Sequence, residues 1–373
     1  LNPELYVGAL SGTSVDGIDA ALVRFSPEPV LVASHTLPYP EVLRQELLAL
    51  GVPGANEIDR LGAADVEVGR CFAQAVLELM ERAGVVAQEV CAVGSHGQTI
   101  RHRPGAQHST AFTLQVGDPN VIAAGTGIPV VADFRRKDVA LGGQGAPLVP
   151  AFHDAVFRQR GKDRVVVNIG GIANLTVLPG DPDSPIAGFD TGPGNTLMDA
   201  WSRRVLNQPM DLDGAWAASG RVHGAGLQVL LADPYFTQAP PKSTGPEYFS
   251  LAWLDRHWAQ GTRPADADVQ ATLLALTTAS IVSSIGAFPD LHGPEVFVCG
   301  GGGRNRELMR SLTGQLPGCT LALTDALGVP AGWVEAMAFA WLAFQRVHGR
   351  PGNSPQVTGA KRPAVLGGLW LPD

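Results

Sequence analysis

The sequence predicts an α/β protein of two related domains with a cleft between them. Three observations carry that expectation. The chain has 373 residues, enough for a large core and two domains. Both halves open with short apolar runs joined by glycine turns: 5–10, SGTSVDG and 18–25 in the first, 164–169, Gly170–Gly171 and 175–178 in the second. Segments of helical period follow each strand series, as an α/β fold requires.

In order, 5–10, 18–25 and 30–34 read as strands, and 41–50 as a short helix. A longer helix is expected over 56–83, where Leu61, Val68, Phe72, Val76 and Leu79 repeat at helical spacing. Asn56 is placed to cap it and Gly84 to stop it. A short strand at 90–93 leads into GSHGQT, and strands follow at 113–116 and 128–132, the second ending in DFRRKD. Residues 148–158 read as helix. In the second half, 186–189 is a strand ending in Asp190, followed by the turn TGPGN and a helix. Helices are expected at 222–232, 248–258 and 267–287, with the proline-rich loop PPKSTGPE between the first two. A strand at 295–299 runs into GGGRNR and a helix over 305–312; Leu321 centres a strand, and 333–347 is the last helix, stopped by Gly349 and Pro351. The tail ends in a strand-like VLGGLW.

Apolar residues at 45% and charged residues at 17% mark a globular chain. With 27 basic and 35 acidic residues the net charge is −8, which argues against general binding of nucleic acid or of an anionic membrane. An anionic substrate stays open, because it needs only local positive groups. The apolar runs read as too short or too interrupted to span a bilayer, and no signal peptide is read. Cys71, Cys91, Cys299 and Cys319 form no CxxC pair and are expected to be buried free thiols.

Four stretches carry chemistry. Gly12, Thr13, Ser14, Val15, Asp16, Gly17, Ile18 and Asp19 crowd one turn, whose amides and hydroxyls suit phosphate oxygens and whose carboxylates suit magnesium. An ordinary β-turn fits the same residues, and no GxxxxGK[ST] is present. Asp190, before a turn with two glycines, is either a general base or metal-associated carboxylate, or an acidic cap. Gly301, Gly302 and Gly303 open a helix and would let a base or ribose approach the main chain, though a tight strand-to-helix turn has the same composition. His96 in GSHGQT, and Arg135 and Arg136 beside Asp133 and Asp138, suit a sugar carboxylate or a phosphate; a lone histidine is more often structural. His102 and His108 make a poor metal pair. Glu335, in the apolar GWVEAMAFAWLAF, needs a partner if buried, or else sits in the first helical turn where the dipole favours it.

Taken together, the motifs resemble those of the anhydro-N-acetylmuramic acid kinases, within the actin-like and sugar-kinase superfamily. The matching stretches are SGTSVDGID (11–19), GSHGQTIRHRP (94–104), QVGDPNVIA (115–123), VVADFRRKDVALGGQGAPLVP (130–150) and NIGGIANLT (168–176). GFDTGPGN (188–195), PPKSTG (240–245), GGGRNR (301–306), VEAMAFAWLA (334–343) and VTGA (357–360) complete the series, in order over nearly the whole chain. The family's usual Met-Ser-Gly-Thr-Ser-Leu-Asp-Gly is met here with Leu10 and Val15, which keep the apolar character.

The resemblance implies two actin-like (ribonuclease H-like) domains around a nucleotide cleft, one at 1–135 completed by about 340–373, the other at 136–339. It implies a first phosphate loop at Gly12 to Asp19, a second at Gly170 and Gly171, and an adenosine side at Gly301, Gly302 and Gly303. Asp190 takes the place of the family's catalytic acid, with His96, Asp133, Arg135 and Glu335 on the sugar side and Asp16 near magnesium, directly or through water. The implied reaction opens 1,6-anhydro-N-acetylmuramic acid with water and phosphorylates its 6-oxygen from ATP with Mg²⁺, in murein recycling. A homodimer in the bacterial cytoplasm, with no nucleic acid or membrane partner, is the implied setting. An ordinary sugar kinase and a noncatalytic ATP-binding regulator share the same loops, but the acid at Asp190 disfavours the regulator.

Overall fold

The computed structural model describes residues 4–25, 28–104, 110–245, 247–258 and 264–373; His108 lies outside them. The chain divides into two compact units, Leu1–Val156 with Trp333–Asp373, and Phe157–Gly332. The breaks thus fall near 156 and 332 rather than at 135 and 339.

The first unit runs β1 (Glu4–Ser11), β2 (Gly17–Phe25), β3 (Pro29–Pro38), α1 (Glu41–Leu50), α2 (Glu57–Ala83), β4 (Val90–Arg103), β5 (Phe112–Val116), α3 (Pro119–Thr126), β6 (Val130–Ala132), α4 (Phe134–Ala140) and α5 (Val149–Phe157). In the second unit follow β7 (Arg164–Ile169), β8 (Ile172–Leu178), β9 (Ala187–Pro193), α6 (Thr196–Leu206), α7 (Ala215–Ser219), α8 (Gly224–Leu231), α9 (Pro234–Thr237) and α10 (Leu251–His257). That unit ends with α11 (Asp266–Gly286), β10 (Glu295–Cys299), α12 (Arg306–Gln315) and β11 (Thr320–Leu323). The chain then returns to the first unit as α13 (Val334–Val347), α14 (Pro355–Thr358) and β12 (Gly368–Trp370).

The first unit's sheet has the order β12-β6-β4-β1-β2-β3, with β5 on β4. β1, β2 and β3 form an antiparallel meander, while β4 runs parallel to β1 and β6 parallel to β4. The second unit's sheet, β11-β10-β7-β8-β9, repeats this: β7, β8 and β9 form the meander, β10 runs parallel to β7 and β11 parallel to β10. The two glycine turns noted in the sequence, β1–β2 and β7–β8, are therefore the same turn of a duplicated topology.

Helices cover both faces of the first unit's sheet, α2 on the face of Val7 and Ala9 and α13 on that of Gly8 and Gly94. In the first unit Val68, Phe72, Val76 and Leu79 of α2 are buried against β1, β2 and β4, with Leu61 partly so. Each such side chain contributes about 1.5–3 kcal/mol of burial. Asn56 sits at the N-cap position with φ 51° but makes no side-chain cap bond, whereas Gly84 ends the helix left-handed at φ 65°. In the second unit α11 lies within the core. It is long and apolar enough to cross a membrane, and 72% of that stretch is buried, so its all-round apolar surface is accounted for by packing.

Two strands outrun their expected lengths. β4 continues through GSHGQT to Arg103 because its second half pairs with β5 after the first half pairs with β1. β9 continues through Asp190 to Pro193 because β8 pairs with it over that length. DFRRKD contains a helix, α4, entered through Asp133 at φ 57°. None of the four cysteines forms a disulfide among the described residues, and only Cys299 is buried; Cys91 is exposed on β4.

Candidate active site

In the first unit the β1–β2 turn exposes Gly12, Thr13, Ser14 and Asp16 while burying Val15 and Ile18. Val15 and Ile18 are core side chains, so only their main chain is available to a ligand. Asp19 accepts from Thr36 Oγ1 at 2.6 Å and belongs to the β2–β3 pairing. Asp16 faces Arg44 at 3.5 Å. The turn is held from below by β4: Ser11 Oγ donates to Gln98 Oε1 at 2.5 Å and Gln98 Nε2 donates to the Gly12 carbonyl at 3.3 Å.

The same strand positions the histidine. A register shift between Ala9 and Ser11 on β1, with Gly97 at φ 72°, makes a bulge that re-aims His96. Arg135 Nε donates to His96 Nε2 at 3.0 Å, and Arg135 Nη1 donates to the Gly145 carbonyl at 2.7 Å. Since Nε2 accepts, the ring proton sits on Nδ1, which donates to the Gly97 carbonyl at 3.0 Å. Burial first, and then the Arg135 charge, hold His96 well below the usual histidine range, so the ring is neutral. His96 and Arg135 are thus brought together, and the ring orients the guanidinium. Asp133, half-buried at the start of α4, is pushed up by burial despite Arg136 at 3.7 Å. Glu335 is exposed in the first turn of α13, the position its helix dipole favours, not on the buried face.

Fully buried Asp138 organises the LGGQGAP loop. Its Oδ2 accepts from the Gly145 amide, and its Oδ1 accepts from Asn353 Nδ2 and Thr358 Oγ1, all within 2.8 Å. The loop carbonyl that anchors Arg135 is therefore fixed by an acid that the sequence showed only as a neighbour.

In the second unit Asp190 stands at a β-bulge. Asn174 pairs with Asp190 and Ala173 with Gly192, which leaves Thr191 as the extra residue. The PPKSTG segment clamps the acid: the Asp190 amide donates to the Lys242 carbonyl at 3.2 Å, and the Thr244 amide donates to Asp190 Oδ2 at 2.9 Å. Tyr235 OH donates to the Asp190 carbonyl at 2.7 Å. The half-buried carboxylate accepts an amide; it does not cap α6, which starts at Thr196.

The glycine turns of this unit share Asn195. Its amide donates to the Gly170 carbonyl at 2.8 Å, and the Gly194 and Thr196 amides donate to the Gly171 carbonyl at 2.9 and 3.0 Å. A Cβ on Gly170 would meet nothing nearer than 3.6 Å, and one on Gly301 only Asn195 Nδ2 at 4.0 Å. A Cβ on Gly302 would strike Ile169 at 2.3 Å, and one on Gly303 would meet Leu323 at 3.0 Å. The absence of a side chain opens the surface at Gly301, but serves internal packing at Gly302 and Gly303.

A family model described as anhydro-N-acetylmuramic acid kinase matches residues 4–372. The chain belongs to the anhydro-N-acetylmuramic acid kinase family. The relative named anhydro-N-acetylmuramic acid kinase in Shewanella frigidimarina is 54% identical over 99% of this chain and 98% of its own. Those of Shewanella amazonensis and Shewanella sp. strain MR-7 are 52% and 53% identical, over 98% and 99% of both chains. Likeness to solved structures is weaker: a ROK family glucokinase from Streptomyces griseus in complex with glucose and AMPPNP covers 91% of this chain and 99% of its own at 14% identity and a TM-score of 0.42, too low to carry weight.

For an anhydro-N-acetylmuramic acid kinase, ATP use brings a question about magnesium. No group of three or more His, Cys, Asp or Glu side chains suited to a metal occurs among the described residues. Magnesium bound mainly by phosphates and water needs one or two protein carboxylates, and exposed Asp16 fits that role. Sequence reasoning missed Gln98, Asp138, Asn195 and Lys242. Gln98, Asn195 and Lys242 lie in motifs quoted for the family resemblance but were themselves given no role, and Asp138 lies in another such motif, where it was named only beside Arg135 and Arg136. The available signal was a polar residue next to a glycine or an acid already singled out.

Proposed function

We propose that this chain performs its family's reaction, the ATP-dependent phosphorylation of 1,6-anhydro-N-acetylmuramic acid in peptidoglycan recycling, with Asp190 as general base. The observation that carries the residue assignment is the Asp190 carboxylate at a strand bulge, held by the Thr244 amide, with the second glycine turn in the same unit. Asp190 takes a proton from water as that water attacks the anomeric carbon. The C1–O6 bond breaks, its electron pair goes to O6, and O6 attacks the γ-phosphorus in line with departing ADP. The products are N-acetylmuramic acid 6-phosphate and ADP.

In this proposal the two compact units are the two actin-like domains of a nucleotide-cleft fold, and each contributes residues to the binding of ATP and sugar. Gly12 to Asp16, Gly170 and Gly171 serve the phosphates, and Gly301 the adenosine. Arg135, oriented by His96, serves the muramic acid portion, with Asp133 and Glu335 as further polar groups on the sugar side. Asp16 would hold magnesium, directly or through water, and the ion would supply neutralisation of phosphate charge. A cytoplasmic homodimer rests on the family resemblance alone.

Reaction in ¹⁸O-labelled water, with prompt product analysis, is the test. Label is expected on the anomeric carbon and none in the phosphate-bound 6-oxygen. A phosphorylated product that keeps the anhydro ring would reject the coupled hydrolysis. Asp190→Asn should cost about 10²- to 10⁴-fold in kcat, with ATP binding retained; near-normal turnover of the folded variant would reject the base assignment.

A further inference from the structure

The PPKSTG segment holds a buried lysine that the reaction just described does not use. Lys242 is 9% exposed. Among the described residues its Nζ reaches one acceptor, the Tyr235 carbonyl at 3.2 Å, although an ammonium has three donors. It otherwise lies over two rings, with Nζ 4.7 Å from the Tyr235 centroid and 5.8 Å from that of Phe189. Phe189 directly precedes Asp190 on β9, and Tyr235 bonds the Asp190 carbonyl. A desolvated cation with one hydrogen bond is costly unless a negative charge stands near, and the Lys242 carbonyl accepts from the Asp190 amide at 3.2 Å, which sets that acid beside the lysine.

We propose that Lys242 is a positioning residue for Asp190: its ammonium, caged by Tyr235 and Phe189, keeps the carboxylate charged, while its main chain and that of Thr244 fix the carboxylate's direction. The inference rests on Asp190 being the base. Consistent with it, burial pulls the Lys242 ammonium down from its usual value and the Asp190 charge acts against that fall. The Tyr235 phenol is pushed up, by burial and then by the Asp190 charge, and stays protonated as a donor. Around the acid, Asp233 is taken up by Tyr248, Trp253 and the Tyr235 amide. β8 brings Asn174 opposite Asp190, and α11 brings the uncharged Thr277 and Ser280 to Pro193, Gly194 and Gly192.

The test compares wild type, Lys242→Met, Lys242→Arg and Asp190→Asn by kcat/KM for the anhydro sugar at saturating ATP across pH 5 to 9. Removing a nearby positive charge favours the protonated acid, so Lys242→Met should move the acidic limb up by about one pH unit. That is about a tenfold loss at a fixed pH below the limb, recovered on the alkaline side, with ATP affinity unchanged. Lys242→Arg should keep the wild-type limb. A pH-independent loss in Lys242→Met, or an unmoved limb beside an inactive Asp190→Asn, overturns the role of Lys242 and leaves the base in place. Near-normal turnover of Asp190→Asn overturns the base assignment itself. If Lys242→Met does not fold, Lys242→Gln is measured instead. The carboxyl ¹³C titration of Asp190, assigned by its loss in Asp190→Asn, should then move upward in Lys242→Gln, and an unchanged titration counts against the proposal.

Discussion

Two glycines in the β1–β2 turn are there for different reasons. A Cβ on Gly12 would find only Ser14 Oγ at 4.0 Å, so the protein itself tolerates a side chain there. A Cβ on Gly17 would stand 2.5 Å from the Leu37 carbonyl and 2.9 Å from Pro38 Cα, where β2 meets β3. Gly12→Val should therefore leave the melting temperature nearly unchanged, while overpacking of about 1–3 kcal/mol falls on bound ATP. Gly17→Ala should place a similar loss on stability instead. Calorimetric titration with ATP and thermal melts of both variants separate the two. Full ATP affinity in Gly12→Val would remove the turn from the nucleotide site. From sequence both positions read as one phosphate loop, because spacing along a chain does not report what lies across the strand.

At the scale of elements, both functional strands work through a bulge. In β4 it turns His96 toward Arg135, and in β9 it sets Asp190 beside Thr191. Each lies where the sequence expected a strand to have ended, because glycine and polar residues read as turn and the partner strand is not visible locally. Helix α13 shows the same limit. Its extent was legible from apolar periodicity, but its closeness to the sheet depends on glycines far away in sequence. A Cβ on Gly8 would lie 1.9 Å from the Ala336 carbonyl, and one on Gly94 2.1 Å from that of Phe339. Gly8→Ala should lift α13 from β1 and cost about 1–3 kcal/mol or more. Gly62→Ala in α2, where a Cβ meets nothing within 4 Å, should be neutral or stabilising by up to about 1 kcal/mol. Equal melting temperatures for the two variants would contradict the close packing.

Over the whole molecule, stability should fall on mild acidification through buried histidines of the first unit. Burial pulls His102 down to about 4 and His153 to about 3, and holds His96 well below its usual range. The unfolded chain takes up protons at these rings near pH 6.5, while the folded chain keeps them neutral. Stability is thus complete above about pH 6.5 and falls below it, by about 1.4 kcal/mol per pH unit for each ring. The loss continues until the folded values, about 4 for His102 and about 3 for His153, are reached. Carboxylates held low by partners, such as Glu57 and Glu295, add their loss only at lower pH. Melts at pH 7.5, 6.5 and 5.5 should show the decline, reduced in His102→Gln; a flat profile would contradict neutral burial.

The sequence alone determined the α/β class, most strands and long helices, and the family. Apolar periodicity and glycine turns are local, and the motif series is one-dimensional. It also named Asp190, Arg135 and the glycine turns, since acids, guanidinium groups and glycines are conspicuous by type. Only the tertiary structure decided what those residues do to one another. It showed that His96 is a neutral acceptor orienting Arg135, and that Asp138 holds the loop behind it from a network with Asn353 and Thr358. It also showed that Gly302 and Gly303 serve packing, and that buried Lys242 accepts from the Asp190 amide and lies over the ring of Phe189. The physical reason is separation along the chain: Asp138 and Thr358 meet across 220 residues, and Asp190 and Thr244 across 54. Local sequence pattern specifies neither pairing; the folding of each unit brings the partners within hydrogen-bond range.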